Sequence, residues 1–201
     1  SKHHDSHLYY SYYTSPFKEC VALSVDGVSE DETLSVAYVK GDSFKILPLA
    51  VYPHSLGLFY SAMTAFVGFK PNEGEYKMMG LAPYGDSKKY IDKVRELISY
   101  EDGELKCNMD VFCWNTSDKT MFNDNLSTLL GIDQRIPDDS LEPVHKDLAA
   151  SVQRVYEEIL FAVLNHISTF LDNTDLSLAG GCAYNGTANG KIINRTSFEN
   201  L

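Results

Sequence analysis

Three closely spaced runs in the first quarter of the chain are rich in hydrophobic residues, and polar turns separate them. The runs Val21–Asp26, Thr33–Lys40 and Phe44–Val51 are rich in Val, Leu, Ile, Tyr and Phe, which favours β-strands. Gly27 is expected to end the first run, and Gly41 lies in a tight turn between the second and the third. Connections this short predict a three-stranded antiparallel meander.

Elsewhere, apolar residues recur with the spacing of an α-helix. The segments predicted to be helical are 3–13, 55–68, 87–100, 121–130, 143–172 and 182–193. A short buried strand is predicted at 176–180 and is expected to join the meander as a parallel partner. This order of elements predicts an α/β fold that opens like a ribonuclease-H-like unit, the half-domain of actin-type ATPases, with an insertion at about 87–142.

Composition and charge exclude some classes of protein. The chain has 201 residues, of which 44% are hydrophobic, so a packed core is expected. The net charge of −11 argues against nucleic acid as a partner, because an acidic surface repels phosphate. No apolar run is long enough to span a membrane. Four scattered cysteines without a CxxC pair favour reduced thiols and a cytoplasmic location.

Three residues have the chemistry of a metal site. His3 and His7 are four residues apart, so on a helix they share one face, and Asp26 lies at a strand end where it can complete the set. Two imidazoles and a carboxylate suit iron, zinc or manganese. The alternative is that both histidines are ordinary surface residues near a helix end.

Two glycine-containing turns are candidates for binding an anion. Gly27 follows Asp26 and allows close approach of a phosphate, although Asp-Gly is also a common hairpin turn. Gly180 and Gly181 stand between a predicted strand and a predicted helix, where free N–H groups can face phosphate, and Asn185 can add a side-chain contact. A tight turn without a ligand is the alternative for this glycine pair.

The segment 74–85 contains an acid, a lysine and several flexible residues. Lys77 is a candidate for neutralising phosphate, and Glu75 for binding a hydroxyl. From the residues alone, an exposed charged loop is the favoured interpretation. His54 and His166 are interpreted as structural, and the sequence contains no Walker A motif and no interpretable catalytic triad.

Six segments, in this order and spacing, resemble those of the O-carbamoyltransferases. This family comprises nodulation-protein and antibiotic-tailoring enzymes related to the tRNA threonylcarbamoyl-adenosine transferase. The segments are KHHDSH (2–7), SPF (15–17), SVDGVSEDET (24–33), YPHSLGLFYSAMTAFVGF (52–69), EYKMMGLAPYGD (75–86) and LAGGCAYNGTANGKI (178–192). The resemblance covers residues 2–95 and 143–195 and is weakest over 101–140.

The resemblance implies an actin-like ATPase fold and an iron-type site at His3, His7 and Asp26. It also implies that carbamoyl phosphate and ATP give a carbamoyl-adenylate in a C-terminal YrdC-like domain. The carbamoyl group then passes at the metal site to a hydroxyl of a sugar or similar small molecule. The pair Gly180-Gly181 with Asn185 matches the family's nucleotide-binding turn.

The sequence also departs from the family pattern. Ser29 stands where a glycine is usual. The chain is expected to be part of a longer protein, because the segment before the HxxxH helix, the final strand with a further aspartate ligand, and the YrdC-like domain are not in it. The general base of the reaction is expected in that preceding segment, so no catalytic residue is assigned here. The sequence is compatible with a homodimer.

Two other functions fit parts of the pattern. A sugar-kinase-like or ATPase-like protein would use Asp26 with Mg²⁺ to move a phosphoryl group. The histidine pair argues against it, because Mg²⁺ prefers oxygen ligands. A binding module that has lost activity is the second alternative, against which the intact His3, His7 and Asp26 argue.

Overall fold

The structure, a computed structural model, describes residues 3–201 in two compact units. The first unit comprises the described residues up to Gly57 together with 100–105 and 159–201, and the second comprises 58–99 and 106–158. Within residues 3–201, no helix is both long enough and apolar enough to cross a membrane.

The chain is α/β, as the sequence predicts. The helices are α1 (His3–Thr14), α2 (Leu56–Phe66), α3 (Glu75–Leu81), α4 (Ile91–Arg95), α5 (Asn125–Leu130), α6 (Pro143–Ile167), α7 (Gly186–Asn189) and α8 (Ile192–Arg195). The strands are β1 (Glu19–Ser29), β2 (Glu32–Lys40), β3 (Ser43–Val51), β4 (Ile98–Glu101), β5 (Glu104–Cys107) and β6 (Leu176–Ala179). Short 3₁₀ turns cover Ala82–Tyr84 and Gly181–Tyr184.

The main sheet has the strand order β3-β2-β1-β6. Strands β1, β2 and β3 form the predicted antiparallel meander, and β6 pairs with β1 in parallel, with Val21 opposite Leu176. Both predictions for this sheet are therefore confirmed. The parallel pair brings the end of β6 beside the end of β1, so the residues that follow the two strands meet at one edge.

Helix α1 covers one face of this sheet. Leu8 and Tyr12 lie one turn apart on the helix and pack on a cluster that includes Ala22 and Ala37, whose small side chains let the helix approach closely. Ser11 hydrogen-bonds Ser177 of β6 at 3.2 Å, which ties the helix to the parallel strand as well. These contacts fix α1 above β1 and β6.

Strand β1 does not end at Gly27, so that prediction was wrong. The strand continues to Ser29 across a bulge, because three residues of β1 between Val25 and Ser29 lie opposite the single residue Thr33 of β2. The chain then turns at Glu30, which has a left-handed φ of 53°. A bulge bends the strand and redirects the side chains within it.

Two predicted helices are broken in the structure. The 87–100 pattern forms only α4 and then enters strand β4, because Asp102 and Gly103 adopt left-handed φ angles and turn the chain into a hairpin with β5. The 182–193 pattern divides into the 3₁₀ turn, α7 and α8, because Asn185 has a non-helical ψ of 79° and caps α7.

The helix predicted at 3–13 is confirmed and extends to Thr14, whereas the other helix predictions were right in type and too long. Helix α6 ends at Ile167 and not at 172, and α2 is shorter than 55–68 by a residue or two at each end. The predicted helix at 121–130 begins only at Asn125, because Phe122 bridges Phe112 in the antiparallel sense before the helix starts.

In the second unit, an ion-pair cluster joins α4 and α6. Glu158 accepts hydrogen bonds from Arg95 and Arg154 at 3.0–3.1 Å. Burial alone would raise the pKa of Glu158, but the two guanidinium groups outweigh it and hold that pKa below its usual value. A carboxylate with a lowered pKa stabilises the folded state above its unfolded pKa, and loses that effect as the pH falls through its folded pKa.

We therefore expect Glu158→Gln to lower the free energy of unfolding at pH 7 by about 0.5–1 kcal/mol, because the pair is partly exposed. The difference from wild type should disappear at a pH below the folded pKa of Glu158. Urea denaturation of the variant and the wild type, at pH 7 and in acid, measures the difference in the free energy of unfolding at each pH. Asp92→Asn, which removes a more exposed partner of the same Arg95, serves as the control and should change stability less.

We also expect Gly180→Ala to destabilise the chain strongly. Gly180 has a φ of 87°, and an added Cβ would lie 2.2 Å from the backbone oxygen of Val25. The loss should be about 3 kcal/mol or more, because both the backbone and its neighbour must move.

The matched control for this substitution is Gly186→Ala, where a Cβ meets nothing within 4 Å. It should change stability by less than about 1 kcal/mol. Thermal unfolding followed by circular dichroism compares the two variants, and equal melting temperatures would contradict the packing argument.

Candidate metal centre

Residues at the start of α2 contact the backbone of the β1 bulge and fix its position. The Ser55 hydroxyl donates to the backbone carbonyls of Asp26 and Gly27, at 3.2 and 2.5 Å. Gly57, in the first turn of α2, lies so close that a Cβ there would be 2.6 Å from the Asp26 carbonyl oxygen. The backbone at Asp26 is therefore fixed on a second side, independently of the sheet.

The Asp26 carboxylate has one anchored oxygen and one that faces the histidines. Its Oδ1 accepts the Gly27 N–H at 2.8 Å, and the Gly181 N–H also hydrogen-bonds the carboxylate. Burial alone would raise the pKa of Asp26, but these N–H groups, with His7 and His3, hold it below its usual value. The carboxylate is thus a preorganised anion.

His3 and His7 meet the other oxygen. His7 Nε2 lies 3.1 Å from Asp26 Oδ2, His3 Nε2 lies 3.4 Å from the same atom, and the two Nε2 atoms are 2.8 Å apart. The side chains of His3, His7 and Asp26 are 52%, 32% and 24% exposed, so the cluster is open to solvent on the His3 side. The expected convergence of these three residues is what the structure shows.

The distances within this triangle fit a shared cation. Ligands about 2.1 Å from one ion lie about 3.0 Å apart at neighbouring octahedral positions and about 3.4 Å apart at tetrahedral ones. The measured separations of 2.8, 3.1 and 3.4 Å fall in this range. The donor set of two imidazoles and one carboxylate suits iron, zinc or manganese better than magnesium.

His4 lies beside the two histidines on the buried side of α1, with its ring centroid 6.3 Å from that of His3 and 6.5 Å from that of His7. It is 1% exposed, and among residues 3–201 neither of its ring nitrogens has a hydrogen-bond partner. Burial lowers the pKa of His4, which outweighs the opposing effect of the nearby Glu32 and Asp26 carboxylates. The ring is therefore held as a neutral group next to the cluster.

The predicted glycine turn lies against Asp26. A Cβ on Gly181 would be 3.2 Å from Asp26 Oδ1, so Gly181 belongs to the same site as His3 and His7. Gly180 packs against the backbone of Val25, which leaves no space for a side chain at this position. Asn185 is buried, and its side-chain oxygen accepts the Ala188 N–H at 3.1 Å, which caps α7. A phosphate contact by Gly27, Gly180, Gly181 or Asn185 stays a prediction.

The interpretation of residues 74–85 as an exposed loop was wrong. Residues Glu75–Leu81 form α3, in which Met78 and Leu81 are buried. Glu75 accepts hydrogen bonds from Ser61 and from the backbone N–H of Asn72, so its carboxylate serves the fold of the second unit. Lys77 is exposed on α3, and its role toward phosphate stays a prediction.

Sequence reasoning missed three residues that shape the site. Ser55 and Gly57 support the bulge, and a signal existed, because a serine just before a helix start is a typical capping residue. The burial of His4 follows from its spacing with Leu8 and Ser11, which lie one and two turns further along the same inner face of α1.

The two histidines interpreted as structural lie outside the cluster. His166 hydrogen-bonds the Tyr100 hydroxyl at 2.6 Å, and the backbone carbonyl of His54 accepts a hydrogen bond from the Thr33 hydroxyl at 2.7 Å.

Comparison with known proteins identifies the family of the chain. The family described as "Carbamoyltransferase N-terminus" matches residues 1–201. The chain is 39% identical to a protein of Synechocystis sp. over 203 residues, covering 100% of this chain and 33% of the relative. It is 33% identical to the nodulation protein NolNO of Sinorhizobium fredii over 99% of this chain and 28% of that protein.

A third relative, the nodulation protein NolO of Bradyrhizobium diazoefficiens, is 30% identical over 99% of this chain and 34% of that protein. The match of one family over the whole chain means that the chain belongs to the carbamoyltransferases and corresponds to their N-terminal region. It spans about a third of the length of these relatives.

We expect His4→Phe to raise the free energy of unfolding by about 1–2 kcal/mol, because it keeps an aromatic ring and removes two buried nitrogens without partners. The control is Tyr12→Phe on the same face of α1. Tyr12 donates its hydroxyl to the Lys18 carbonyl at 2.9 Å, so its loss should lower stability by about 1 kcal/mol. Guanidinium denaturation measures the change in the free energy of unfolding for each variant, which should be positive for His4→Phe and negative for Tyr12→Phe. A decrease for His4→Phe would contradict the prediction and show that the imidazole contributes polar contacts to the fold.

Proposed function

We propose that this chain is the metal-binding part of an ATP-dependent O-carbamoyltransferase. The observation that carries the proposal is the meeting of His3, His7 and Asp26, whose ligand atoms all lie within 4.8 Å of one another. Membership in the carbamoyltransferase family supports carbamoyl transfer as the reaction class. The donor set disfavours the alternative of a magnesium-dependent phosphotransferase.

In this proposal His3, His7 and Asp26 hold Fe(II) or a similar divalent ion. When bound, such an ion supplies Lewis-acid polarisation of a carbonyl oxygen. Asp26 would offer Oδ2 to the ion, because Oδ1 accepts the Gly27 N–H. This second layer of contacts fixes the direction of the carboxylate, as outer-shell partners do in known metal sites.

The donor in this proposal is a carbamoyl-adenylate made from carbamoyl phosphate and ATP. During transfer, the acceptor hydroxyl attacks the carbamoyl carbon, the bond from that carbon to the adenylate oxygen breaks, AMP leaves, and the hydroxyl proton is released. The Gly181 turn, with Gly27, Gly180 and Asn185, is the proposed contact for the nucleotide, and Lys77 is the proposed cation for phosphate. The general base and the YrdC-like domain are proposed to belong to other parts of an actin-like parent protein.

Metal binding can be tested with the 201-residue chain itself. We expect the chain to bind Co(II), measured by its visible absorption, and His7→Ala to weaken the affinity at least about tenfold, because one of three ligands is lost. His54→Ala, which removes a histidine outside the cluster, should leave the affinity unchanged. Equal affinity in wild type and His7→Ala would disprove the metal site.

The reaction is tested on the full-length parent protein. Incubation with carbamoyl phosphate, ATP and a hydroxyl-bearing acceptor should release AMP and add one carbamoyl group to the acceptor, which mass spectrometry detects. ADP together with a phosphorylated acceptor would identify a phosphotransferase instead. Metal binding without either product would favour a binding module.

A further inference from the structure

Ser55 directs a buried hydroxyl at the two peptide units that follow Asp26. The residue is fully buried, and its Oγ lies 3.2 Å from the carbonyl oxygen of Asp26 and 2.5 Å from that of Gly27. A serine hydroxyl carries one proton to donate, and here both acceptors within reach are carbonyls of the bulge. Ser55 therefore restrains the orientation of the backbone on both sides of Gly27.

The restrained backbone holds the carboxylate of Asp26 in turn. The carbonyl of Asp26 and the N–H of Gly27 belong to one planar peptide unit, so a contact that holds the oxygen also sets the direction of the N–H. This N–H donates to Asp26 Oδ1 at 2.8 Å. With Oδ1 held, Oδ2 is the oxygen that faces His3 and His7. A series of contacts thus leads from the Ser55 hydroxyl to the metal-facing oxygen.

Thr33 fixes the other side of Ser55. It is 1% exposed, lies opposite the bulge on β2, and donates its hydroxyl to the backbone carbonyl of His54 at 2.7 Å. That carbonyl belongs to the peptide unit that joins His54 to Ser55. Because the bond uses the backbone, replacing the His54 side chain does not remove it. Two buried hydroxyls in succession therefore connect β2 to the bulge of β1.

A second serine of the chain has the same local chemistry without a metal ligand beside it. Ser151 on α6 is also fully buried, and its hydroxyl lies 2.8 Å from the backbone oxygens of both Ser87 and Asp147. Each serine therefore stabilises the fold through contacts to two carbonyls. Only the contacts of Ser55 lead to a carboxylate of the metal centre, which separates a role in metal binding from a role in folding.

We propose that Ser55 is a positioning residue of the metal centre, which sets the direction of Asp26 Oδ2 and thereby the affinity for the metal ion. This inference rests on the proposed function, because it requires a metal ion at His3, His7 and Asp26. Without the hydroxyl, the peptide unit after Asp26 can rotate, and the carboxylate can turn Oδ2 away from the histidines. Loss of an outer-shell partner of this kind weakens metal affinity by about tenfold or more.

The test is a Co(II) titration of the 201-residue chain, followed by visible absorption. Ser55→Ala should weaken the affinity about tenfold and should change the position or intensity of the absorption bands, which report ligand geometry. The matched control, Ser151→Ala, should lower the melting temperature to a similar extent and leave both the affinity and the bands unchanged. An unchanged affinity and spectrum in Ser55→Ala, or an equal loss of affinity in Ser151→Ala, would overturn the proposal.

A double-mutant cycle shows whether Ser55 acts through Asp26. In Asp26→Ala, where only the two histidines of the cluster are left to bind Co(II), adding Ser55→Ala should cause no further loss of affinity. A further tenfold loss in that background would refute the proposed route. If circular dichroism shows that Ser55→Ala does not fold, Thr33→Val replaces it, because valine keeps the shape and removes the hydroxyl. Thr33→Val should weaken Co(II) binding several-fold, and an unchanged affinity would overturn the proposal.

These results also separate this inference from the proposed function. Wild-type chain that binds Co(II) as tightly as Ser55→Ala would overturn the role of Ser55 and leave the metal site standing. Wild-type chain that binds no Co(II) would refute the proposed metal site and, with it, this inference.

Discussion

The hydrogen bonds from backbone N–H groups to the Asp26 carboxylate are the interaction on which the candidate site depends. One comes from Gly27, within the β1 bulge, and the other from Gly181, after β6, so the second forms only when the two strands lie side by side. Backbone donors are positioned by the sheet and do not depend on a side-chain rotamer. The direction of the remaining carboxylate oxygen is thereby set by the fold itself.

The same arrangement explains why glycines surround this aspartate. Gly57 lies against its carbonyl, Gly180 against the preceding residue Val25, and Gly181 against its carboxylate. The approaches at Gly57 and Gly180 leave no space for a Cβ, and the approach at Gly181 leaves little, whether or not a nucleotide is ever bound. A glycine pair after a buried strand is therefore weaker support for phosphate binding than its sequence alone indicates.

Sequence patterns predicted most of the sheet and the ligand set, because both depend on local spacing. Three apolar runs with short connections identified the meander, and the four-residue separation of His3 and His7 placed both on one helix face. The failures have a different cause. Asp102–Gly103 and Asn185 interrupt continuous apolar patterns through backbone angles that periodicity does not contain. The spacing of His4 with Leu8 and Ser11 was the signal for its burial, and it was missed because the two flanking histidines suggested an exposed helix face.

The strand order β3-β2-β1-β6 gives the two edges of the sheet unequal capacity to accept another strand. Strand β3 carries Pro48, which lacks an N–H, and Lys45, and such residues discourage pairing between sheet edges. The outer side of β6 already bears a parallel bridge from Asp175 to Asn200. The β6 edge therefore already takes part in further backbone pairing, while the β3 edge is protected against pairing with another strand and so against aggregation.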